Sequence, residues 1–352
     1  MKAYINAYGI ISPQRTFDGA FFENGLEEYT QPQMHCIEPD YKEFINPAKL
    51  RRMSRILKMG LGAASLCVQR GTQPDAIVIG SGFGCLADLE KFQYAMKAEN
   101  EQLLSPTPFV NSSHNMISSQ IAIALGCNGY NMTHFHAALS FENALLDTLM
   151  LLNSGDAQNV LVGGIDEITE QLFSITDKLN IWRKDNCSNK NLFEGTHHGT
   201  LMGEGAAFFI IGTKPDNGNP VQITGTHTFI DGNADIVSEA ADFLGTLNLT
   251  IADIDTMILG RNGDAENDCV YDALENCGQA NIVHYKHLCG EYRTSSAFAM
   301  WLGANILQRQ QIPQCAIKRK NGKNNYSNIL IYNHLNGTEH AFTVLGRDLS
   351  QS

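Results

Sequence analysis

"NMTHFHAALSFENALLDTLM", residues 131–150, reads as a short strand, a sharp corner and a buried helix. Residues up to Phe135 alternate as a strand does, and the helix is expected over 139–154, with Glu142 in its first turn where the helix dipole favours an anion. Many enzymes place a nucleophile at such a corner. Here the corner holds Ala137, Ala138 and Leu139, and no methyl group can attack a substrate.

The same grammar extends in both directions. Upstream, "DAIVIGSGFG" is a buried-type strand ended by a glycine turn, and "NMISSQIAIALG" is a helix stopped by Gly126. Residues 51–68 place Ile56, Met59, Ala63 and Cys67 on one helical face, with Arg51, Arg52, Arg55 and Lys58 elsewhere. Downstream, "NVLVGG" and "AAFFIIG" are continuous apolar strands. "IDTMILG" and "NIVHYKHLCGEY" repeat the strand-then-corner pattern, "AENDCVYDALENCG" is helix-like, and "RTSSAFAMWLGANIL" is a helix apolar on nearly every side. "SNILIYNHLNGTEHAFTVLG" reads as a hairpin turning at Asn336-Gly337. Alternating strands and helices imply α/β layers. A strand, corner and apolar helix occurs once near 138 and again near 291, which predicts two pseudo-duplicated halves, 1–215 and 216–352, whose corners meet.

The chain has 352 residues, nine cysteines and a net charge of −12. The charge argues against a nucleic-acid partner. The cysteines form no CxxC pair, so neither zinc nor a redox dithiol is expected, and His197-His198 has no third ligand at metal spacing. With no signal-like start and no apolar run near 18 residues, the expected compartment is the cytoplasm.

Several stretches together resemble the β-ketoacyl-acyl carrier protein synthase family. They are "FINPAKLRRMSRILKMGLGAA", "GSGFGCLADLEKF", "NMISSQIAIALGCNGYNMT", "GDAQNVLVGGIDE", "MGEGAAFFIIG" and "YKHLCGEYRTSSAFAMWLGANIL". The resemblance implies the thiolase-like fold, two halves stacked in α-β-α-β-α layers. It also implies Cys-His-His chemistry, in which the cysteine takes an acyl chain from a carrier protein's phosphopantetheine and two histidines assist decarboxylation.

Counting 25 residues back from Gly163, or 23 on from Asn115, places the family's cysteine at Ala138. The first histidine falls at Gly260, eight residues before Asp268, and the second at Glu291, five after Lys286. The C-terminal gate falls at 333–337, which reads "NHLNG". Lys286 and Glu204 are kept. An anionic Glu291 would repel a malonyl carboxylate, and nothing at 138 can ionise.

The pattern is therefore similar to chain length factors, the cysteine-less partners of ketosynthases in type II polyketide systems, and to the corresponding subunits of aryl polyene and flexirubin-type pathways. That resemblance implies a dimer through "GYNMTHF", with Phe109, Val110, Met116 and Phe135 near the partner's acyl tunnel. It implies carrier-protein docking at Arg51 and Arg52, and no cofactor beyond the phosphopantetheine that a carrier protein brings. Two other readings stay open. One is an acyl-transferring or condensing enzyme with a relocated nucleophile, Cys289 (near His287 and Glu291) or Ser140. The other is a homodimer that binds an acyl chain or carrier protein. Ser140 is otherwise expected as a helix cap. His134 and His136, sharing a strand face, are expected to make structural hydrogen bonds, with His136 the lesser catalytic candidate.

Overall fold

The computed structural model describes residues 2–185, 187–216 and 221–348. The principal strands are β1 (Ala3–Ile11), β2 (Ala76–Gly80), β3 (Asn131–His134), β4 (Asn159–Asp166), β5 (Gly205–Gly212), β6 (Val221–Ile230), β7 (Thr256–Leu259), β8 (Asn281–His284), β9 (Ile317–Arg319), β10 (Asn328–Leu335) and β11 (Glu339–Arg347). They follow one another across the sheet as β9-β8-β7-β10-β11-β6-β1-β5-β4-β2-β3. Two identical wirings lie in that order. In the first half β1, β5 and β4 pair antiparallel, then β2 and β3 continue parallel. In the second half β6, β11 and β10 pair antiparallel, then β7 and β8 continue parallel. The halves join where Ala3 and Tyr4 of β1 meet Ile223 and Gln222 of β6.

The principal helices are α1 (Arg55–Arg70), α2 (Leu86–Ala98), α3 (Pro106–Asn111), α4 (Met116–Leu125), α5 (Ser140–Ser154), α6 (Glu170–Asp177), α7 (Ile236–Thr246) and α8 (Ser296–Arg309). Helix α5 packs on β2, β3 and β4 of its own half and on β6 of the other. Helix α8 packs on β10 and β11 of its own half and on β1 and β5 of the other. Both therefore form a middle layer between two sheet faces, which is why residues 296–307 are buried on all sides. Outside this sandwich, α1 covers β1 and β5 and α4 covers β2 and β3. The family's α-β-α-β-α layering is thus present.

Sequence and structure agree on most elements and differ at instructive places. The basic helix begins at Arg55, not 51. Asn46 and Pro47 start a separate one-turn helix, Pro47–Leu50, and Ser54 is extended before the new helix begins. The single helix expected at 265–277 is two one-turn helices, Ala265–Asp268 and Asp272–Asn276, around a 3-10 turn. The hairpin turns where expected, with Asn336 and Gly337 both at positive φ.

Candidate functional site

The two corners meet at the middle of the molecule. A Cβ on Gly164 would lie 2.9 Å from Ala297 Cβ, 3.0 Å from Thr294 Cβ and 3.2 Å from Phe141, so the first turns of α5 and α8 converge on this one position. Between them Asp166 is fully buried. Its carboxylate accepts from Gly82 N–H (2.8 Å), Thr294 N–H (2.9 Å) and the Thr294 hydroxyl (2.8 Å), and so ties the turn after β2 to the second corner.

At the first corner Ala137 has φ 35°, a left-handed conformation uncommon without glycine. Ser140 holds it there. Its hydroxyl accepts from His136 N–H (2.9 Å) and lies 3.0–3.1 Å from the Ala137 and Ser81 carbonyls. The expectation that Ser140 caps α5 is therefore corrected. It clamps the corner, and its hydroxyl is fully buried and occupied. Ala138 sits at the base of the corner, 5% exposed.

His134 and His136 do not act as an inward pair. His134 Nε2 bonds Asp147 at 2.9 Å, while His136 lies beyond the end of β3 and is exposed. Glu142 lies in the first turn of α5, as expected. It is buried beside Ser296, and burial raises its carboxyl to about 7, against the opposing pull of Ser296 and Lys286. An acid raised in the folded state loses stability as pH climbs from its ordinary 4.5 toward 7. Glu142→Gln removes that loss. The variant is expected to exceed the parent by about 3 kcal/mol at pH 8 and by little at pH 4.5, read by urea unfolding at each pH.

At the second corner Lys286 is fully buried and its ammonium bonds Glu291 Oε2 at 2.6 Å. The Asn262 amide donates to the same oxygen at 2.8 Å. Backbone bonds from Glu291 N–H to Leu201 O (2.8 Å) and from Gly203 N–H to Glu291 O (3.0 Å) fix the residue in place. Lysine and glutamate thus form a closed pair where the family has lysine and histidine. Gly260 leaves no room for a side chain. A Cβ there would stand 2.2 Å from Asn333 Oδ1 and 2.7 Å from the Tyr271 hydroxyl.

Cys289 is also at this corner, but the grouping with His287 and Glu291 does not form. Its thiol is fully buried against the Gly290 carbonyl and pushed well up by burial. His287 Nε2 bonds the Cys315 carbonyl instead (2.8 Å), and Glu291 belongs to Lys286.

A cavity of about 280 Å³ opens beside these groups. Leu172, Leu179, Ile181, Trp182 and Met202 are its apolar lining, and Asn262, Asp264, Glu291, Arg293 and His334 are among its polar lining. Ala138, Gly260 and Cys289 do not line it. Its two threonine hydroxyls are engaged: Thr200 donates to Asn262 O at 2.5 Å and Thr176 to Leu172 O at 2.7 Å.

Glu204 is the buried, backbone-bonded carboxylate expected, but its main partner went unread in the sequence. Arg55 grips it through two 2.5 Å bonds, and Cys36 N–H and Ile168 N–H each donate to it at 2.8 Å. Helical spacing alone places Arg55 off the apolar face and gives no sign of this partner. Arg51 and Arg52 are exposed. His197 and His198 lie near Asp185 and Glu266 on the surface, and among the described residues no His, Cys, Asp and Glu group is arranged to hold a metal ion.

The remaining candidates cluster at one edge. Strand β3 ends the sheet, so its outer side is unpaired. Tyr130, Met132 and Phe135 are 40–48% exposed there, with Phe109 (60%) and Val110 (54%) of α3. Met116 is half-buried, and the His114 ring packs tilted against Phe135, with centroids 3.9 Å apart.

The sequence profile described as "Beta-ketoacyl synthase, N-terminal domain" matches residues 15–217. The chain belongs to the β-ketoacyl synthase family. Among curated proteins it is 24% identical over 184 residues to 3-oxoacyl-[acyl-carrier-protein] synthase 2 of Synechocystis sp., and 22% identical over 183 residues to the protein of that name from Rhizobium meliloti. The matches cover 49% and 48% of this chain and 44% of each relative, so the chain spans less than half the length of those proteins. Solved structures match almost end to end. The ishigamide ketosynthase/chain length factor superposes with TM-score 0.80 at 14% identity, covering 99% of both chains. A β-ketoacyl synthase from Burkholderia phymatum gives 0.78 at 14%, again over 99% of both chains. The ketosynthase ApeO in complex with its chain length factor ApeC, from Xenorhabdus doucetiae, gives 0.74 at 16%, over 99% of this chain and 98% of that one. At such identities the likeness shows the fold.

Proposed function

We propose that this chain is a non-condensing subunit that pairs with an active ketosynthase and shapes its acyl tunnel, in fatty acid or polyketide-type biosynthesis in the cytoplasm. The observation that carries the reading is Ala138: the corner is built, clamped by Ser140 and buried, yet offers no atom to hold an acyl chain. The filled space at Gly260 and the Lys286–Glu291 pair support it from the other half. Two of the similar structures are ketosynthase/chain length factor assemblies. The apolar β3 edge with Phe109 and Phe135 is the surface offered to the partner, which would extend the sheet across both chains. A carrier protein would reach the pair with its phosphopantetheine, helped by Arg51 and Arg52.

The test is co-expression with a ketosynthase encoded beside this gene. A one-to-one complex is expected by light scattering, with longer products from Phe109→Ala and Phe135→Ala. Unchanged products from an intact complex would remove the tunnel assignment. A stable homodimer that binds no ketosynthase would overturn the pairing in favour of a second copy at the same edge. The relocated-nucleophile reading would regain ground only from a covalent acyl adduct, because Cys289 and Ser140 are both buried away from the cavity.

A further inference from the structure

The segment 333–337 departs from the family's gate, and the structure shows where its polar residues go. Asn333 fills the space that a side chain at 260 would need. His334, beside it, is 3% exposed and lines the cavity. Its Nδ1 accepts a hydrogen bond from Gly337 N–H at 3.1 Å, so the ring proton of the neutral imidazole is on Nε2. Nε2 has no hydrogen-bond partner of good geometry, although the Asn267 carbonyl is near enough to act on it. A buried ring N–H facing a cavity is costly unless a ligand accepts from it.

The opposite chemistry comes from Glu291. Lys286 and Asn262 both bind Oε2, which leaves Oε1 without a hydrogen bond among the described residues. Both residues line one cavity, and the charge of Lys286 acts on both. The cavity lining therefore includes an acceptor and a donor left without hydrogen-bond partners, together with apolar side chains.

We infer that this cavity hydrolyses acyl thioesters without a covalent intermediate, with Glu291 as general base and His334 as the donor to the carbonyl oxygen. Water attacks the thioester carbonyl carbon while Glu291 Oε1 takes its proton. The carbonyl oxygen becomes an oxyanion and accepts from His334 Nε2–H. The C–S bond then breaks, the thiolate takes the proton back from Glu291, and a carboxylic acid and a thiol leave. Lys286 is a positioning residue that holds Glu291 through its Oε2. The acyl chain lies along Leu172, Leu179 and Trp182. This activity belongs to the single chain and does not rest on the pairing with a ketosynthase, so either reading can fail alone.

The test uses the purified full chain with octanoyl-N-acetylcysteamine, octanoate release being followed by mass spectrometry. His334→Ala is expected to lower turnover about 100-fold, and His334→Gln to recover part of it, because a glutamine amide still presents an N–H. Glu291→Gln should fall by a similar factor. Since it strands a buried lysine, the His334 pair carries the decision if that variant unfolds. Because burial holds His334 down at about 3 and keeps it neutral, its N–H donor should add no step to the pH–rate profile across the neutral range. Turnover no faster than in buffer, an unaltered rate in folded His334→Ala, or an acyl adduct on the protein would each overturn the assignment.

Discussion

Replacing Gly260 by histidine is expected to destabilise the chain by about 3 kcal/mol or more and to confer no condensing activity. The first atom of the new side chain would be placed 2.2 Å from Asn333 Oδ1 and 2.7 Å from the Tyr271 hydroxyl. Neither neighbour can step aside. Tyr271 is fully buried against Tyr332 (ring centroids 5.1 Å apart), and Asn333 is 5% exposed within β10. Overpacking in such a place forces off-rotamer side chains or a backbone shift. Urea unfolding should show a lower midpoint at unchanged slope. Adding Asn333→Gly should recover much of the loss, because the two residues compete for one space, and the non-additivity of that cycle measures the competition. A Gly260→His chain as stable as its parent would show that the space is open. The same geometry explains why the family's three side chains cannot simply be put back: a histidine at 291 would also leave the buried Lys286 ammonium without its carboxylate.

Glu204→Gln is expected to cost about 3–5 kcal/mol, the scale for breaking a buried ion pair from one side. The carboxylate joins Arg55 of α1, Cys36 of the N-terminal loop and Ile168 after β4, three segments far apart in sequence. Despite its burial, hydrogen bonds from His35 and Arg55, the charge of Arg55 and the Ile168 N–H hold its carboxyl down at about 2. An acid lowered by folding contributes its full stabilisation above its ordinary value of 4.5 and loses it progressively as pH falls from there toward 2. The difference between parent and variant should therefore be largest at neutral pH and shrink below pH 4.5. A constant difference across that range, measured by denaturant unfolding, would show that shape rather than charge matters at this site. Arg55→Ala should match the loss at neutral pH, since it leaves the same carboxylate buried and unpaired.

Much of the site was legible before any coordinates because its scaffold is written locally. The apolar runs of β4 and β5, the all-apolar α8 and the Asn336-Gly337 turn each depend on neighbours in sequence. Once the fold was recognised, counting along it reached Ala138, Gly260 and Glu291. Other features were illegible for a definite reason. Helical spacing puts Arg55 with Arg51 and Arg52, and only the approach of β5 shows that it reaches a buried carboxylate. Cys289, His287 and Glu291 are close in sequence, yet their side chains leave in different directions toward Gly290, Cys315 and Lys286. His334 read only as a departure from a gate, since nothing local says that its ring faces a cavity built by four other segments.

By itself the amino-acid sequence determined the layers, the duplicated corners and the alanine at the base of the first of them, since these follow from periodicity, turn chemistry and the identity of single residues. Tertiary structure alone decided which polar groups are neutralised and which stay available. Partners such as Lys286 and Asn262 on Glu291, or Asn333 beside Gly260, come from segments of the second half that meet only when β7, β8 and β10 pair. Burial then sets whether each group is charged, bonded or left facing the cavity.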